Sequence, residues 1–242
     1  MNRLFLLIVI AAVAGCASKH KTMEAKRGGS ATQPMAASES WQEKFDVDKA
    51  DLAPRGISKY MILQPGRRAQ YQSKDGTLTI TVLPETKTVD GVQTAIVEER
   101  ETKAGQLEEV SRNYLAINRK TGDVYYFGED VDEYKDGKVA GHEGAWMSGV
   151  DGAHFGMLIP GQPKVGQKYY AEMAKNAKDR CEVKDVNAKV ATPLLGTFNG
   201  CLKIDETTPI EKGTSHKVYA PNVGLIEDDE MVLVRVEGGG GQ

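Results

Sequence analysis

No apolar run in this 242-residue chain reaches the roughly 20 residues that a helix needs to span a bilayer. Positive charge is not in excess: 31 Lys and Arg stand against 34 Asp and Glu, for a formal charge of -3. The charges are mixed along the chain rather than blocked, which excludes a basic nucleic-acid-binding surface. Aromatics are modest at 7%, and cysteines number three. There is no Gly-x-Ser-x-Gly elbow, no His-Glu-x-x-His helix and no Walker loop. His142, His154 and His216 do not pair at metal-ligand spacing. The sequence therefore calls for no cofactor and no resident metal. Neither a βαβ rhythm nor an internal repeat is visible.

What is present begins at the N-terminus. Arg3 precedes an apolar stretch, Leu4 to Val13, that ends in Val13-Ala14-Gly15-Cys16. A short apolar core after a positive charge fits an export signal. Small residues before a cysteine let the cleavage site lie extended in a peptidase groove, and the thiol can take a thioether-linked diacylglycerol. The stretch resembles the bacterial lipobox. It implies a signal over residues 1–15, lipidation of Cys16 and attachment to a membrane through the lipid. Two or three acyl chains give durable anchoring. Ala17 is not the Asp that retains Gram-negative lipoproteins in the inner membrane, so the resemblance implies the outer membrane, facing an extracytoplasmic space.

Residues 16–56 read as the lipidated cysteine and a polar, flexible tether. A short helix near residues 41–52, capped by Ser40, is expected within it. From residue 57 the pattern changes. Thr77 to Val82 alternates, with Leu78, Ile80 and Val82 on one face. Thr94–Thr102, 106–117 and Val124–Phe127 read as strands, as do later runs at 167–173, 181–187, 189–192, 202–207, 214–219 and 229–236. Turn signals lie at 89–92, 118–123 and 135–138. Short strands at this spacing predict one all-β domain over residues 57–237, with few short helices. The expected form is a strongly curved antiparallel sheet or half-open barrel. Residues 238–242 read as a frayed tail.

Landmarks in the second half carry a further resemblance. Asp123-Val124-Tyr125-Tyr126-Phe127-Gly128-Glu129-Asp130 is followed by Tyr134, Asp136-Gly137-Lys138-Val139 and Glu143-Gly144-Ala145-Trp146. Then come Gly149-Val150-Asp151-Gly152-Ala153, Pro163-Lys164-Val165-Gly166-Gln167, Gly196-Thr197-Phe198 and Tyr219-Ala220-Pro221-Asn222-Val223-Gly224-Leu225. With Gln64-Pro65-Gly66, this order resembles an uncharacterised family of secreted bacterial β-rich proteins, often lipoproteins, with no assigned activity. The resemblance covers about residues 57–236. It bears on fold and compartment and carries over no catalytic residue.

Candidate chemistry is sparse. The acidic run Glu129–Glu133 fails the EF-hand template started at Asp130, because Tyr134, Lys135 and Gly141 fall at the fifth, sixth and twelfth positions. It reads as a solvated strand end, with calcium on another geometry as the alternative. Trp146 and the apolar run from Phe155 through Met157 to Ile159 read as core packing. They also fit an apolar pocket wall with Asp151 and His154 at its mouth. Cys181 and Cys201 suggest a disulfide in an oxidising compartment. Regular alternation turns Cys181 inward and Cys201 outward. A turn or short helical segment at Thr197–Gly200 would release Cys201 from that rule. Three functional readings follow. The first is a non-enzymatic envelope module binding a partner protein or an apolar ligand, or acting as a scaffold. The second is a hydrolase with a site near Asp151 and His154, and the third a purely structural surface protein.

Overall fold

The computed structural model describes residues 40–238. The expected signal, Cys16, most of the tether and residues 239–242 lie outside the described residues. Eighteen strands follow one 3-10 turn, Lys49–Asp51. They are β1 Leu52–Ala53, β2 Gly56–Ile57, β3 Ile62–Leu63, β4 Arg68–Gln72, β5 Gly76–Val89 and β6 Val92–Lys103. Next come β7 Gln106–Asn118, β8 Val124–Lys135, β9 Lys138–Gly141, β10 Trp146–Met147, β11 His154–Ile159 and β12 Lys168–Tyr170. The chain ends with β13 Glu172–Met173, β14 Arg180–Thr192, β15 Gly196–Thr207, β16 Ser215–Ala220, β17 Gly224–Asp228 and β18 Met231–Glu237.

The domain is all-β, as the alternation predicts. One antiparallel sheet runs β12-β14-β15-β16-β17-β18-β4-β5-β6-β7-β8-β11-β13. Two meanders, one from each half of the chain, are joined where β18 pairs with β4. The free ends of the sheet are β12 and β13, which are separated in sequence by Ala171 alone. The chain thus steps from one edge to the other, and the sheet closes into a barrel with one seam. Gly156 of β11 lies against this crossing: a Cβ there would sit 2.4 Å from the Ala171 carbonyl oxygen and 2.5 Å from that of Tyr170. Close backbone approach of this kind is a reason for glycine within a strand. The Tyr169 hydroxyl donates to the Leu158 carbonyl across the same seam, at 3.3 Å.

The segment before residue 57 departs from the tether reading. Residues 41–48 hold no helix, and the expected helix is reduced to the single 3-10 turn, where the Asp48 side chain, rather than Ser40, accepts from the Ala50 amide. Tertiary contacts override the local helical preference. Gln42 bridges Tyr169 in parallel at the open edge of β12, and Phe45 meets the edge of the Tyr125 ring at 5.8 Å. Leu52 is buried in the main core. The folded unit therefore includes residues 41–56 as well as the expected domain.

The expected strands are present, with differences. The run 167–173 is divided at Ala171 into β12 and β13, and β4 and β9 fall outside the expected runs. Residues 181–187 and 189–192 belong to one bent strand, β14. The strands β11 and β17 were not separated from their surroundings in the sequence. Thr197–Gly200 lies inside β15 rather than in a turn or helical segment.

Candidate functional site

Alternation along the long strands decides what faces the barrel interior. On β5 these residues are Leu78, Ile80 and Val82, the row legible in the sequence. On β6 the inward row is Val97, Glu99 and Glu101, and on β7 it is Asn113, Ser111 and Glu109. The register aligns the rows into layers. Val82, Val97, Asn113 and Glu129 of β8 lie side by side. Ile80, Glu99, Ser111 and Val131 form the next layer, and Leu78, Glu101, Glu109 and Glu133 the third. A cavity of about 290 Å³ is left inside the barrel. That is near the lower end of the volumes typical of small-ligand sites.

The cavity is acidic. Eleven Asp and Glu side chains line it against two bases, Arg67 and Lys217. Lys217 is committed to Asp228, with Nζ 3.0 Å from Oδ1 and 2.9 Å from Oδ2. Burial pulls the Lys217 pKa down, but the carboxylates of Asp228 and Glu206 outweigh it and hold the pKa well above the ordinary range. Arg67 donates to the Val223 carbonyl, and burial lowers its pKa. Glu99 has no such commitment: its carboxylate makes no hydrogen bond or ion pair with the described residues. Burial, with the nearby carboxylates of Asp228, Glu109 and Glu101, pushes its pKa up to about 7 against the pull of Lys217. Glu206 is pushed up to about 7 chiefly by burial, with Asp179 and Asp228 adding to it and Lys217 opposing. Glu101, at the more exposed end of the row, is raised by burial and by Asp228 and Glu108.

The acidic run Glu129–Glu133 is divided by the strand it occupies. Glu129, Val131 and Glu133 line the cavity. Asp130 instead pairs with Lys87 at 3.1 Å, and Asp132 with Arg112 at 3.2 Å. The run therefore does not converge on one cation. Among the described residues, no group of three or more His, Cys, Asp or Glu is arranged to hold a metal ion.

None of the five residues expected at an apolar pocket lines this cavity. Trp146 is buried with its ring edge-on to Tyr126, centroids 5.4 Å apart. Phe155 stacks on Phe127 at 4.8 Å, and Met157 is buried in the same core. These three are packing residues. Asp151 is exposed in a turn at φ 49°, and His154 is exposed on β11. No hydrogen bond or ion pair joins Asp151 to His154. The nearby Ser148 hydroxyl donates to Asp90 at 2.9 Å and accepts from the Phe155 amide at 3.0 Å. That hydroxyl is a turn brace, and nothing around it forms a nucleophile–base pair of the kind hydrolysis needs.

The expected disulfide is corrected. Cys181 and Cys201 are both buried and free. They lie on neighbouring strands, but the register sets Cys181 opposite Glu206 and Cys201 opposite Ala188. Those positions are seven residues apart on β14, roughly 20 Å along a strand. Cys201 is released from strict alternation, as the sequence required, but by a bulge: Gly200 sits at φ 69°, and the register shifts between Ala188 and Val190.

The acidic interior had one signal in the sequence. Ala95, Val97, Glu99 and Glu101 share one parity, so the apolar face of β6 runs directly into two glutamates. From Glu98 onward both faces of this strand carry charge, and the alternation alone does not say which is inside.

No family model matches the chain, and no curated protein matches it. Two solved structures are similar to it. One is a candidate lipoprotein from Parabacteroides distasonis, 14% identical, with 76% of this chain and 100% of that one covered and a TM-score of 0.36. The other is a candidate exported protein with a YmcC-like fold from Bacteroides fragilis, 16% identical, covering 75% and 100%, also at 0.36. Likeness at this level says nothing of residue roles or chemistry in this chain.

Proposed function

We propose that this protein is a bacterial envelope lipoprotein, anchored in the outer membrane through Cys16, whose barrel is a non-enzymatic binding module for a small ligand held in its lumen. The N-terminal signal and lipobox support the anchor. The observation that carries the binding role is the 290 Å³ cavity bounded on one side by Leu78, Ile80 and Val82. A purely structural barrel would fill this space with side chains, because protein interiors are otherwise close-packed. The hydrolase reading loses its support once Ser148 is committed to Asp90 and Phe155.

The neutral fluorophore N-phenyl-1-naphthylamine tests the lumen. The purified domain should bind it with enhanced emission, and Ile80→Trp, which fills the cavity, should abolish the enhancement while circular dichroism stays unchanged. Equal enhancement in the folded variant would contradict the proposal. In the native host, Cys16→Ser should move the protein out of the membrane fraction; retention there would contradict the anchor.

A further inference from the structure

We infer that the lumen selects amphiphilic organic cations: a ligand with an apolar body of about ten heavy atoms and a protonated amine at one end. The inference deepens the binding role proposed above and rests on it. It stands on how the layers are graded along the barrel. At one end the layer holds Val82 and Val97, both buried, beside Asn113 and a single acid, Glu129, with Leu115 also facing the cavity, whereas the outermost layer holds three acids, Glu101, Glu109 and Glu133. One layer on, Ile80 faces Glu99, and one further Leu78 faces Glu101. Apolar surface therefore continues along β5 while carboxylates take over on β6. Glu101 and Glu109 are directly opposite each other in the outermost of these layers. A ligand lying along β5 places its alkyl body on Leu78, Ile80 and Val82 and its charged end among the glutamates.

The size follows from the volume. At about 30 Å³ per water-sized atom group, 290 Å³ holds roughly ten heavy atoms. The sign of charge follows from what is already paired. Asp228 has Lys217, and Arg67 is turned to a carbonyl. Glu99 lies inside the molecule, faces the cavity and has neither a hydrogen bond nor an ion pair with the described residues. A buried carboxylate without a partner is costly, and a cation with N–H donors offsets that cost. An anionic ligand would add to the repulsion among the lining acids. A bare metal ion is disfavoured because, among the described residues, no three His, Cys, Asp or Glu side chains are arranged to hold one.

Three probes of equal chain length separate charge from apolar burial: n-octylamine, n-octanol and n-octanoate, titrated calorimetrically at pH 7.5. Charge-assisted hydrogen bonds are stronger than neutral ones, so octylamine should bind about tenfold or more tighter than octanol. Octanoate should bind weakest. In Glu99→Gln/Glu101→Gln, with strand content checked by circular dichroism, octanol affinity should persist and the preference for the amine should fall to within about threefold. Octanol binding as tightly as octylamine to the native chain would overturn the cation inference while leaving the lumen as a binding site. An undiminished amine preference in the double variant would place the selectivity elsewhere and overturn it as well. Binding of none of the three, together with failure of the naphthylamine probe, would remove both readings.

Discussion

Glu99 occupies a position where a carboxylate weakens the fold. Its pKa is raised from the ordinary 4.5 to about 7, first by burial and then by the facing acids. Folding therefore holds a proton that the unfolded chain releases earlier. The stability linked to that proton is complete below about 4.5 and is lost as pH rises through 7. Glu99→Gln removes the loss. At pH 8 the variant should be more stable than the native protein by on the order of 2 kcal/mol, and at pH 4 the two should be equal. Urea denaturation at both values checks this; equal stability at pH 8 would show that Glu99 carries no burial penalty. The raised glutamates were legible in the sequence only as parity, since Glu99 continues the row of Ala95 and Val97. Their depth depends on strands β7, β8 and β16 coming round to enclose them, which no local pattern reveals.

The β14–β15 hairpin shows where reading by element succeeds and where it stops. Alternation correctly turned Cys181 inward and showed that Cys201 needed an irregularity to follow it. The irregularity is the Gly200 bulge. The pairing of the two strands is set by the whole length of the hairpin, and that register keeps the thiols far apart. Thiol counting on unfolded, unreduced protein should find both Cys181 and Cys201 free; loss of both thiols would mean that the register is wrong. Burial and neighbouring carboxylates, Glu206 for Cys181 and Glu227 for Cys201, also raise both thiol pKa values. Low thiolate character slows oxidation in the folded state. The missed strand β11 has a related cause. Its run from Phe155 to Ile159 is too apolar for period-2 alternation to stand out, because most of its residues are buried beside β8 and β13.

At the scale of the molecule, the fold class was legible because turns such as Asp90-Gly91 and Asp136-Gly137 punctuate clear alternation. Closure was not. It depends on β18 reaching β4 and on a single residue, Ala171, carrying the chain between the two edges of the sheet. Of the two readings of Trp146 and Phe155, core packing holds and the pocket wall does not: aromatic residues flanked by glycines mark tight packing as well as they mark a site. The lumen that closure creates is the functional claim. Methyl-resolved NMR of the Leu, Ile and Val side chains tests it most directly. Titration with n-octylamine should shift the methyl resonances of Leu78, Ile80, Val82, Val97 and Leu115, which line the cavity, and leave those of exposed Val165 and Leu194 unmoved. Shifts confined to exposed methyls, with the five lumen residues unchanged at saturation, would contradict the account.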